Sequence, residues 1–468
     1  MCIRDSHYAS LDILSKIGIV MKDPRGRQLL LDAGAIESDG RIKIPPNLIY
    51  DALASAPERI PMYNRLGEPT MPLELGRVFF GPGSDTPFTI DVETGQRRKA
   101  TAADVETIAR LCDALDSLDF IMSMGVPSDV PPDDVFIHGF IGMMRGSVKP
   151  VVYTANNRRD MEDIYRIAVA IAGDKDTLRE KPFLLLYAEP ISPLLFAPEA
   201  VEKLLFCAEK GLPSSFPPSP NTGGGGPITV AGALALGNAE CLAGLTLTQL
   251  ARKGVPFLYG MNVAALDMKT AVISYGAPEW SLAMAAEVAL AEFYNLPVWG
   301  FGGATDSKVI DAQAGLEAAF SIYTAFLSRC TLVHDVGYIE SGLTSSMEML
   351  VMADEIIRMT RFLLAGVEVS DETLALDAIA RADPGGGFLA DDHTLKHWRT
   401  AQWFPSVLDR RQYNDWVSLG SKDLYTRLNE RVRAILSEHQ VSPLPAEAEE
   451  VIADVLAERA RRRMEYTA

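Results

Sequence analysis

Cysteine pairs, long apolar runs and basic segments are all scarce in this sequence of 468 residues. The five cysteines (Cys2, Cys112, Cys207, Cys241 and Cys330) stand singly, with no C-x-x-C pair. This argues against a disulfide framework or a zinc ribbon and is typical of a reducing compartment. No apolar run reaches the roughly 18 residues of a membrane helix, and the first residues lack the apolar stretch of a secretory signal. We therefore expect a cytoplasmic protein.

Basic residues are outnumbered, since 44 Lys and Arg face 62 Asp and Glu for a net charge of −18. A nucleic-acid binder needs a basic face for phosphate contacts, and an acidic chain is repelled by anionic lipids. The sequence thus indicates neither a nucleic-acid nor a membrane partner. Hydrophobic residues at 48% and charged residues at 23% are ordinary for a globular protein.

Eight short apolar runs recur at starts about 30 to 43 residues apart, and each precedes a segment with helical periodicity. The runs are residues 77–83, 119–127, 149–155, 182–189, 212–217, 255–262, 297–303 and 331–337. The clearest helix is 311–329, where one face carries Ala312, Leu316, Ala319, Tyr323 and Leu327. Strand–helix repeated eight times predicts an α/β fold, a (β/α)8 TIM barrel with helical caps at both termini. A doubly wound open sheet is the alternative.

The predicted organisation is an N-terminal helical cap (1–76), a barrel (77–366) and a C-terminal helical extension packed on the barrel (367–468). Active sites of such barrels lie at the carboxyl ends of the strands. The residues found there are mostly polar or aromatic: Ser84, Asp85, Asp129, Asn157, Glu189, Asn262, Asp306, Lys308, Tyr338 and Glu340, with a glycine loop at 223–226.

Structural roles compete with these functional ones. Asp306 and Asp311 are also candidate helix N-caps, Glu189 can cap the turn at Pro190, and His334 fits a core histidine. The glycine loop forms either a simple turn or an anion-binding nest, but it lacks the P-loop pattern.

His393 and His397 have the spacing of two metal ligands on a helix. Thr394 stands where the zinc motif H-E-x-x-H requires glutamate. No metal site is therefore expected.

Several segments resemble the trimethylamine–corrinoid protein methyltransferase family. They are RVFFGPGSDTPFTIDVETGQRRKAT, VPSDVP, ISPL, FGGATDSKVIDAQAGLEAA, LVHDVGYIESGLTSS and DPGGGFLADDHTLKHWRTAQWFPSVLDRR. The resemblance runs from about residue 7 to 438 and also implies a barrel. It further implies methyl transfer from a methylated amine to the Co(I) corrinoid of a separate protein. Because the chain has only standard residues, it resembles the branch without pyrrolysine, some of whose members demethylate quaternary amines such as glycine betaine.

A constraint on the site follows from this chemistry. The positive charge on nitrogen disappears as the methyl group leaves, so a tight carboxylate would stabilise the substrate more than the transition state. Aromatic faces hold an ammonium more weakly, by about 0.5–2 kcal/mol each. We therefore expect rings around the nitrogen, drawn from Tyr187, Tyr275, Trp299, Phe301 and Tyr338.

The resulting site hypothesis assigns catalysis to Asp306, Glu340 and Tyr338, with Asp306 and Glu340 orienting other groups. Substrate binding is assigned to Glu189, Asn262, Phe301, Trp299 and Lys308. No cofactor is expected to be held tightly. No D-x-H-x-x-G motif occurs, so cobalamin is expected on a partner corrinoid protein, and a homo-oligomer is compatible with the sequence. Two alternatives are a barrel lyase or aldolase that uses Lys308 as a Schiff base, and a non-catalytic scaffold that docks the corrinoid protein.

Overall fold

The N-terminal region combines helices with short hairpins. The computed structural model describes residues 3–467, with side chains to residue 465. Its first elements are α1 (Ile3–Asp12), a π-helical turn (Ile13–Ile17), β1 (Val20–Met21), α2 (Pro24–Asp32), β2 (Ile36–Ser38), β3 (Arg41–Lys43), α3 (Pro46–Ser55), β4 (Ile60–Tyr63) and β5 (Pro69–Leu73). Helices are present in this region as expected, whereas the antiparallel pairs β2–β3 and β4–β5 were not predicted.

Strands and helices then alternate through the middle of the chain. They are β6 (Phe79–Pro82), β7 (Phe88–Ile90), β8 (Arg97–Lys99), α4 (Ala102–Ala114), α5 (Val135–Gly146), β9 (Val151–Tyr153), α6 (Arg158–Ala172), α7 (Lys175–Glu180), β10 (Leu184–Tyr187), β11 (Leu195–Phe196), α8 (Pro198–Lys210), β12 (Ser214–Ser215) and α9 (Val230–Ala251). They continue as β13 (Phe257–Leu258), β14 (Ala265–Asp267), β15 (Val272–Ser274), α10 (Pro278–Tyr294), β16 (Trp299–Phe301), α11 (Ala312–Ser328), β17 (Leu332–Val336), β18 (Tyr338–Ile339), β19 (Thr344–Ser345) and α12 (Met347–Leu364).

Seven of the eight predicted strands are confirmed, and they form two parallel sheets. One sheet has the order β13-β12-β10-β9 and the other has the order β16-β17-β6. A parallel bridge between Tyr259 and Val298 connects the sheets at one place. The residues following α4 connect them at another, because the Asp119 N–H donates to the Phe80 carbonyl (2.6 Å) and Ile121 bridges Val151.

The second predicted strand, 119–127, is wrong as a strand. Only the bridge of Ile121 with Val151 is formed there. Met124 has a φ of 49°, which takes the backbone out of the extended conformation. Its N–H donates instead to the Gly83 carbonyl at 3.0 Å.

Several helices begin where a polar side chain satisfies their first free N–H groups. Asn157 caps α6, with its side-chain oxygen accepting from the N–H groups of Arg159 (3.0 Å) and Asp160 (3.2 Å). Asp311 caps α11 through the Ala314 N–H at 3.0 Å, which confirms one of the two predicted aspartate caps.

α11 confirms the predicted helix, but its apolar face points outwards. Leu316 and Leu327 are 71% and 72% exposed, whereas Ala318, Ile322 and Ala325 are buried on the opposite side. This buried side packs against α10, α12 and β16.

α9 is long and apolar enough to cross a membrane by length and composition alone, so the expectation that no segment qualifies was wrong. However, 83% of its most apolar stretch is buried inside the protein, where α9 contacts α1, α3 and α8. Its one acidic residue, Glu240, accepts from the Leu194 N–H (2.5 Å) and the Ser192 hydroxyl (2.7 Å). α9 is thus a central core helix.

The C-terminal region is helical throughout. It contains α13 (Asp371–Leu374), α14 (Leu376–Arg381), α15 (Asp392–Ala401), α16 (Tyr413–Ser418), α17 (Leu424–Glu438) and α18 (Ala446–Thr467). α17 packs against α12 and α4, and α18 packs against α6. The buried Arg459 fastens α18 through the carboxylates of Asp160 and Asp163, both at 2.7 Å. Between residues 366 and 423, by contrast, only Ala378 and Val407 are buried.

Candidate active site

A cavity of about 360 Å³ lies where β6, β10, β13 and β17 end, and we call it the strand-end cavity. Larger hollows, of about 570 and 520 Å³, lie at the opposite ends of the strands and beside α18. The strand-end cavity is distinguished by its aromatic and titratable groups, the usual marks of a functional site. Its wall consists of Ser84, Asp85, Tyr187, Glu189, Ser219, Asn221, Asn262, Ala264, Ile273, Tyr275, Trp280, His334, Asp335 and Tyr338.

Aromatic rings form most of one side of this cavity. Tyr275 packs on Trp280 with 4.5 Å between ring centroids and meets Tyr338 edge-on at 6.0 Å. Two of the rings expected from the sequence, those of Phe301 and Trp299, are buried behind this layer and pack against it. Phe301 stacks on Trp280 at 4.1 Å, and Trp299 stacks on Tyr187 at 5.0 Å, within 4° of parallel.

A chain of hydrogen bonds sets the orientation of Tyr187 and Glu189. The Trp299 indole N–H donates to Asn262 Oδ1 (3.1 Å), and the Asn262 amide donates to the Tyr187 oxygen (3.3 Å). The Tyr187 hydroxyl then donates to Glu189 Oε2 (3.1 Å). Because each group has one role in this chain, the amide of Asn262 has a single orientation.

Three carboxyl groups reach the cavity, namely those of Asp85, Glu189 and Asp335. Glu189 projects into the open space yet is enclosed by protein, and burial raises its pKa to about 7. The Tyr187 hydrogen bond and the Lys203 charge oppose this shift. Burial also raises the pKa of Asp85, and it raises that of Asp335 well above its usual range. All three carboxyl groups are therefore harder to ionise than carboxyl groups in water.

His334 and Asp335 are consecutive but both line the cavity. Successive strand residues normally point to opposite faces, but Asp335 has a φ of 71° and the register with β6 shifts between Val333 and Val336. His334 Nδ1 donates to the Gly300 carbonyl (2.6 Å), and Nε2 lies 3.3 Å from Asp335 Oδ2. Burial lowers the pKa of His334 to about 4 and raises that of Asp335 well above its usual range, so burial disfavours the charged form of both groups.

Asp306 lies outside the cavity wall and anchors the segment that carries Tyr275. Its carboxylate accepts from the N–H groups of Tyr275 (2.7 Å) and Gly276 (3.2 Å), from the Ser341 hydroxyl (2.9 Å) and from the Ser274 hydroxyl. It therefore positions the end of the β14–β15 hairpin.

Two other predicted residues also lie away from the wall. Glu340 forms an ion pair with Arg97 (2.7 Å) and accepts from the Thr344 hydroxyl (2.5 Å). Lys308 is exposed, and its ammonium donates to the Asp306 carbonyl (2.8 Å). The structure thus brings Glu189, Asn262 and Tyr338 to the cavity, with Phe301 and Trp299 behind it, and leaves Asp306, Glu340 and Lys308 outside.

Sequence reasoning missed Asp335 and Trp280 and treated His334 as a core residue. The available signal was the pair His334-Asp335 inside an otherwise apolar strand. Two consecutive polar residues in a buried strand need a bulge or a polar partner on each face. Trp280 lies in the first turn of α10, outside the strand ends that were considered.

No group of three or more histidine, cysteine or acidic residues suited to a metal ion occurs within residues 3–467. His393 and His397 lie on α15, where His397 Nε2 contacts Glu372 Oε1 (2.8 Å) and His393 Nε2 donates to the Glu372 carbonyl (3.1 Å). They join α15 to α13. The four described cysteines are free and buried, and Cys2 lies outside the described residues.

Gly83 allows the close approach of Tyr338 and Asp335. A Cβ at this position would overlap the Tyr338 ring and lie 2.5 Å from Asp335 Oδ1. We expect Gly83→Ala to lower the free energy of unfolding by about 1–3 kcal/mol and to weaken binding of a ligand in the strand-end cavity. Thermal denaturation and calorimetry measure the two effects. Gly315→Ala is the control, since a Cβ there meets open space on α11, and an equal loss in both variants would contradict the assignment.

Proteins with similar sequences are named as methyltransferases. Residues 3–464 match the family described as trimethylamine methyltransferase (MTTB). The chain is 32% identical to trimethylamine methyltransferase MttB of Desulfitobacterium hafniense (strain DSM 10664 / DCB-2) over 97% of this chain and 91% of that protein. It is 29% identical to the glycine betaine methyltransferase of Desulfitobacterium hafniense (strain Y51), over 98% and 96%.

A solved structure is similar in fold. The monomethylamine methyltransferase MtmB of Methanosarcina barkeri superposes with a TM-score of 0.50 over 94% of this chain and 87% of that chain, at 13% identity. This likeness concerns the fold alone. The family match over residues 3–464 and the 32% identity to MttB are stronger evidence than the similarity of fold. They show that the chain belongs to the trimethylamine methyltransferase family.

Proposed function

We propose that this protein transfers a methyl group from a quaternary ammonium compound to the corrinoid of a separate protein. The observation that carries the proposal is the strand-end cavity, in which Tyr187, Tyr275, Trp280 and Tyr338 line a small space together with carboxyl groups. Aromatic faces bind quaternary ammonium groups, and the relatives' names specify methylated amines.

The proposal includes a closed (β/α)8 barrel. The hydrogen bonds at Tyr259–Val298 and through Asp119 and Ile121 support closure, since they link the two parallel sheets at both of their edges. The division into 1–76, 77–366 and 367–468 is part of the same proposal. It is supported by the first barrel strand at Phe79 and by the end of α12 at Leu364.

Cobalamin, arriving on its carrier protein, supplies the Co(I) nucleophile that takes the methyl group. The carbon–nitrogen electron pair leaves with the amine, which becomes neutral, so no proton donor is required. The residues of this chain hold the ammonium and exclude water. Burial raises the pKa of Asp85 and Asp335, and this weakens any preference of these groups for the charge that disappears during the reaction.

Asp306 and Glu340 are proposed as positioning residues that do not touch the substrate. Asp306 holds the Tyr275 segment, and Glu340 holds Arg97 beside the Phe88 ring. Trp299 and Phe301 act from behind the wall, and Lys308 has no place in the cavity.

The corrinoid protein is proposed to dock on exposed apolar side chains that follow β10, β12, β13 and β17. These residues, which we call the apolar rim, are Ile191, Ile228, Met268, Val272 and Leu343. An apolar rim fits a large organic cofactor presented by a partner.

Because the net charge of −18 repels an acidic partner, salt should strengthen this contact modestly by screening. Association measured by biolayer interferometry should therefore not weaken as the salt concentration rises to about physiological levels. Steep weakening would indicate a charge-steered interface instead, and Met268→Glu should weaken binding at every salt concentration.

A homo-oligomer is also proposed, with a second copy covering the outward face of α11. Leu316, Phe320 and Leu327 form an exposed apolar stripe there, and many apolar side chains of residues 362–419 are exposed as well. Sedimentation velocity should give a mass above one chain and a smaller mass for Leu316→Glu. Gln96→Glu, which adds the same charge at an exposed turn away from α11, should leave the mass unchanged.

The alternatives have less support. A Schiff-base lyase needs a lysine in the cavity, but Lys308 is exposed outside it. A non-catalytic scaffold predicts an obstructed site, whereas the cavity measures about 360 Å³.

Methylation of a reduced corrinoid protein by a panel of amines tests the function. We expect methylation from at least one quaternary amine, followed by its absorbance change, and slower methylation from trimethylamine. Faster reaction with trimethylamine than with every quaternary amine would contradict the quaternary assignment, and no reaction with any amine would contradict the function.

A further inference from the structure

The wall of the strand-end cavity carries acidic groups and no basic ones. Asp85, Glu189 and Asp335 are its acidic residues, and neither lysine nor arginine occurs among the described wall residues. The one histidine, His334, is held neutral by burial, which lowers its pKa to about 4. The cavity therefore offers no positive charge to a ligand.

Nearby cations are committed elsewhere. The Lys203 ammonium donates to the Ala155 carbonyl (2.7 Å), and its charge acts on Glu189 and Asp85 from behind the wall. Lys308 is exposed and donates to the Asp306 carbonyl. Neither lysine contributes to the wall.

The glycine loop does not form a free anion-binding nest. The Gly224 and Gly226 N–H groups both donate to the Asn221 carbonyl (3.0 Å each), and the Gly223 N–H donates to the Gly226 carbonyl (3.1 Å). Three of the four glycines in the loop thus donate their N–H groups to carbonyl groups of the same turn. The loop is therefore a simple closed turn and not an anion-binding nest.

We propose, building on the methyl-transfer function above, that the substrate of this protein is a small methylated ammonium compound without a carboxylate. Moving a carboxylate out of water without a cationic partner is strongly unfavourable. Glu189, whose pKa of about 7 leaves it partly ionised at neutral pH, adds to that cost. Betaines are therefore rejected, whereas tetramethylammonium and choline carry only the positive charge that the aromatic rings and Glu189 recognise.

The neutral donors of the wall suit an uncharged polar end on the substrate. Tyr275 and Ser219 line the cavity, and their hydroxyls have no hydrogen-bond partner among the described residues. A hydroxyl group on the substrate can form hydrogen bonds with them without the burial of another charge. The volume of about 360 Å³ lies at the small end of ligand pockets, in keeping with a substrate of few heavy atoms.

Calorimetry on the full chain at pH 7.5, in a buffer free of amines, tests this selectivity without the corrinoid protein. The probes are tetramethylammonium, choline and glycine betaine, with 3,3-dimethyl-1-butanol as the neutral isostere of choline. We expect choline or tetramethylammonium to bind at least about tenfold more tightly than glycine betaine, because the betaine carboxylate loses its water without a cation in exchange.

The variant Asn221→Lys places a cation on the wall, and Asn221→Gln is its uncharged control. In Asn221→Lys the ratio of betaine to choline affinity should rise by about tenfold or more, while Asn221→Gln should keep the wild-type ratio. The wild-type ratio decides the matter if the lysine variant does not fold.

The outcomes separate this inference from the proposed function. Glycine betaine that binds as tightly as choline, or methylates the corrinoid protein faster than any carboxylate-free amine, overturns the inference and leaves the function intact. If no ammonium compound binds more tightly than the neutral isostere and none supports methyl transfer, the proposed function fails as well.

Discussion

Asp306→Ala is expected to lower kcat/KM for the quaternary amine by about 100-fold, because a shift of about 1 Å in a positioned group costs that much. The substitution removes the acceptor that holds the N–H groups of Tyr275 and Gly276 and the Ser341 hydroxyl. Tyr275 would then leave its place beside Trp280 and Tyr338. Steady-state methylation of the corrinoid protein measures the effect.

Matched variants separate positioning by Asp306 from general stability. Asp306→Asn keeps the shape and one acceptor oxygen, so it should recover part of the loss. Asp267→Ala removes a carboxylate at the far end of the same hairpin, where it accepts from the Lys269 N–H (2.7 Å), and should leave kcat/KM unchanged. If Asp306→Ala lowers only the melting temperature and keeps kcat/KM, Asp306 has a purely structural role.

The affinity for tetramethylammonium is expected to rise about tenfold between pH 6 and pH 8, as linkage requires for a group with a pKa near 7 that binds the cation in its ionised form. Glu189 is that group, since burial raises its pKa to about 7. A bound cation favours the carboxylate, so protons compete with the ligand below pH 7. Calorimetric titrations at several pH values measure the trend.

Glu189→Gln should flatten this pH dependence and weaken binding at pH 8. The raised pKa also has a consequence for folding. A carboxyl that is harder to ionise in the folded state makes the protein less stable as the pH rises from about 4.5 through 7, and Glu189→Gln should remove that contribution. Glu199→Gln, on the exposed first turn of α8, is the control. An unchanged pH profile in Glu189→Gln would assign the titration to another group.

Local patterns were sufficient to predict the seven strands of the two parallel sheets. Runs such as 182–189 and 331–337 became β10 and β17 because continuous apolar stretches bounded by turns are stable as buried strands. The segment 119–127 looked equally apolar, yet the positive φ of Met124 ends its extended conformation. That feature depends on a contact with Gly83, which no local pattern contains.

The candidate site was predictable to the extent that it lies at strand ends. Asp85, Glu189, Asn262 and Tyr338 follow strands and reach one cavity, because parallel strands end at the same edge of their sheet. The side of a strand to which each side chain points was not predictable in the same way. Phe301 and Trp299 belong to a strand and lie behind the wall, where they stack on rings that do reach it.

The sequence by itself determined the strands of the parallel sheets and their alternation with helices, the acidic character and the family, because periodicity, composition and motifs are local or additive properties. Tertiary structure alone decided which polar groups meet. The bulge at Asp335 directs the side chains of His334 and Asp335 into one cavity. Burial raises the pKa of Glu189 in the same cavity. Both effects arise from the atoms that surround a group in space, and those atoms come from segments far apart in the chain.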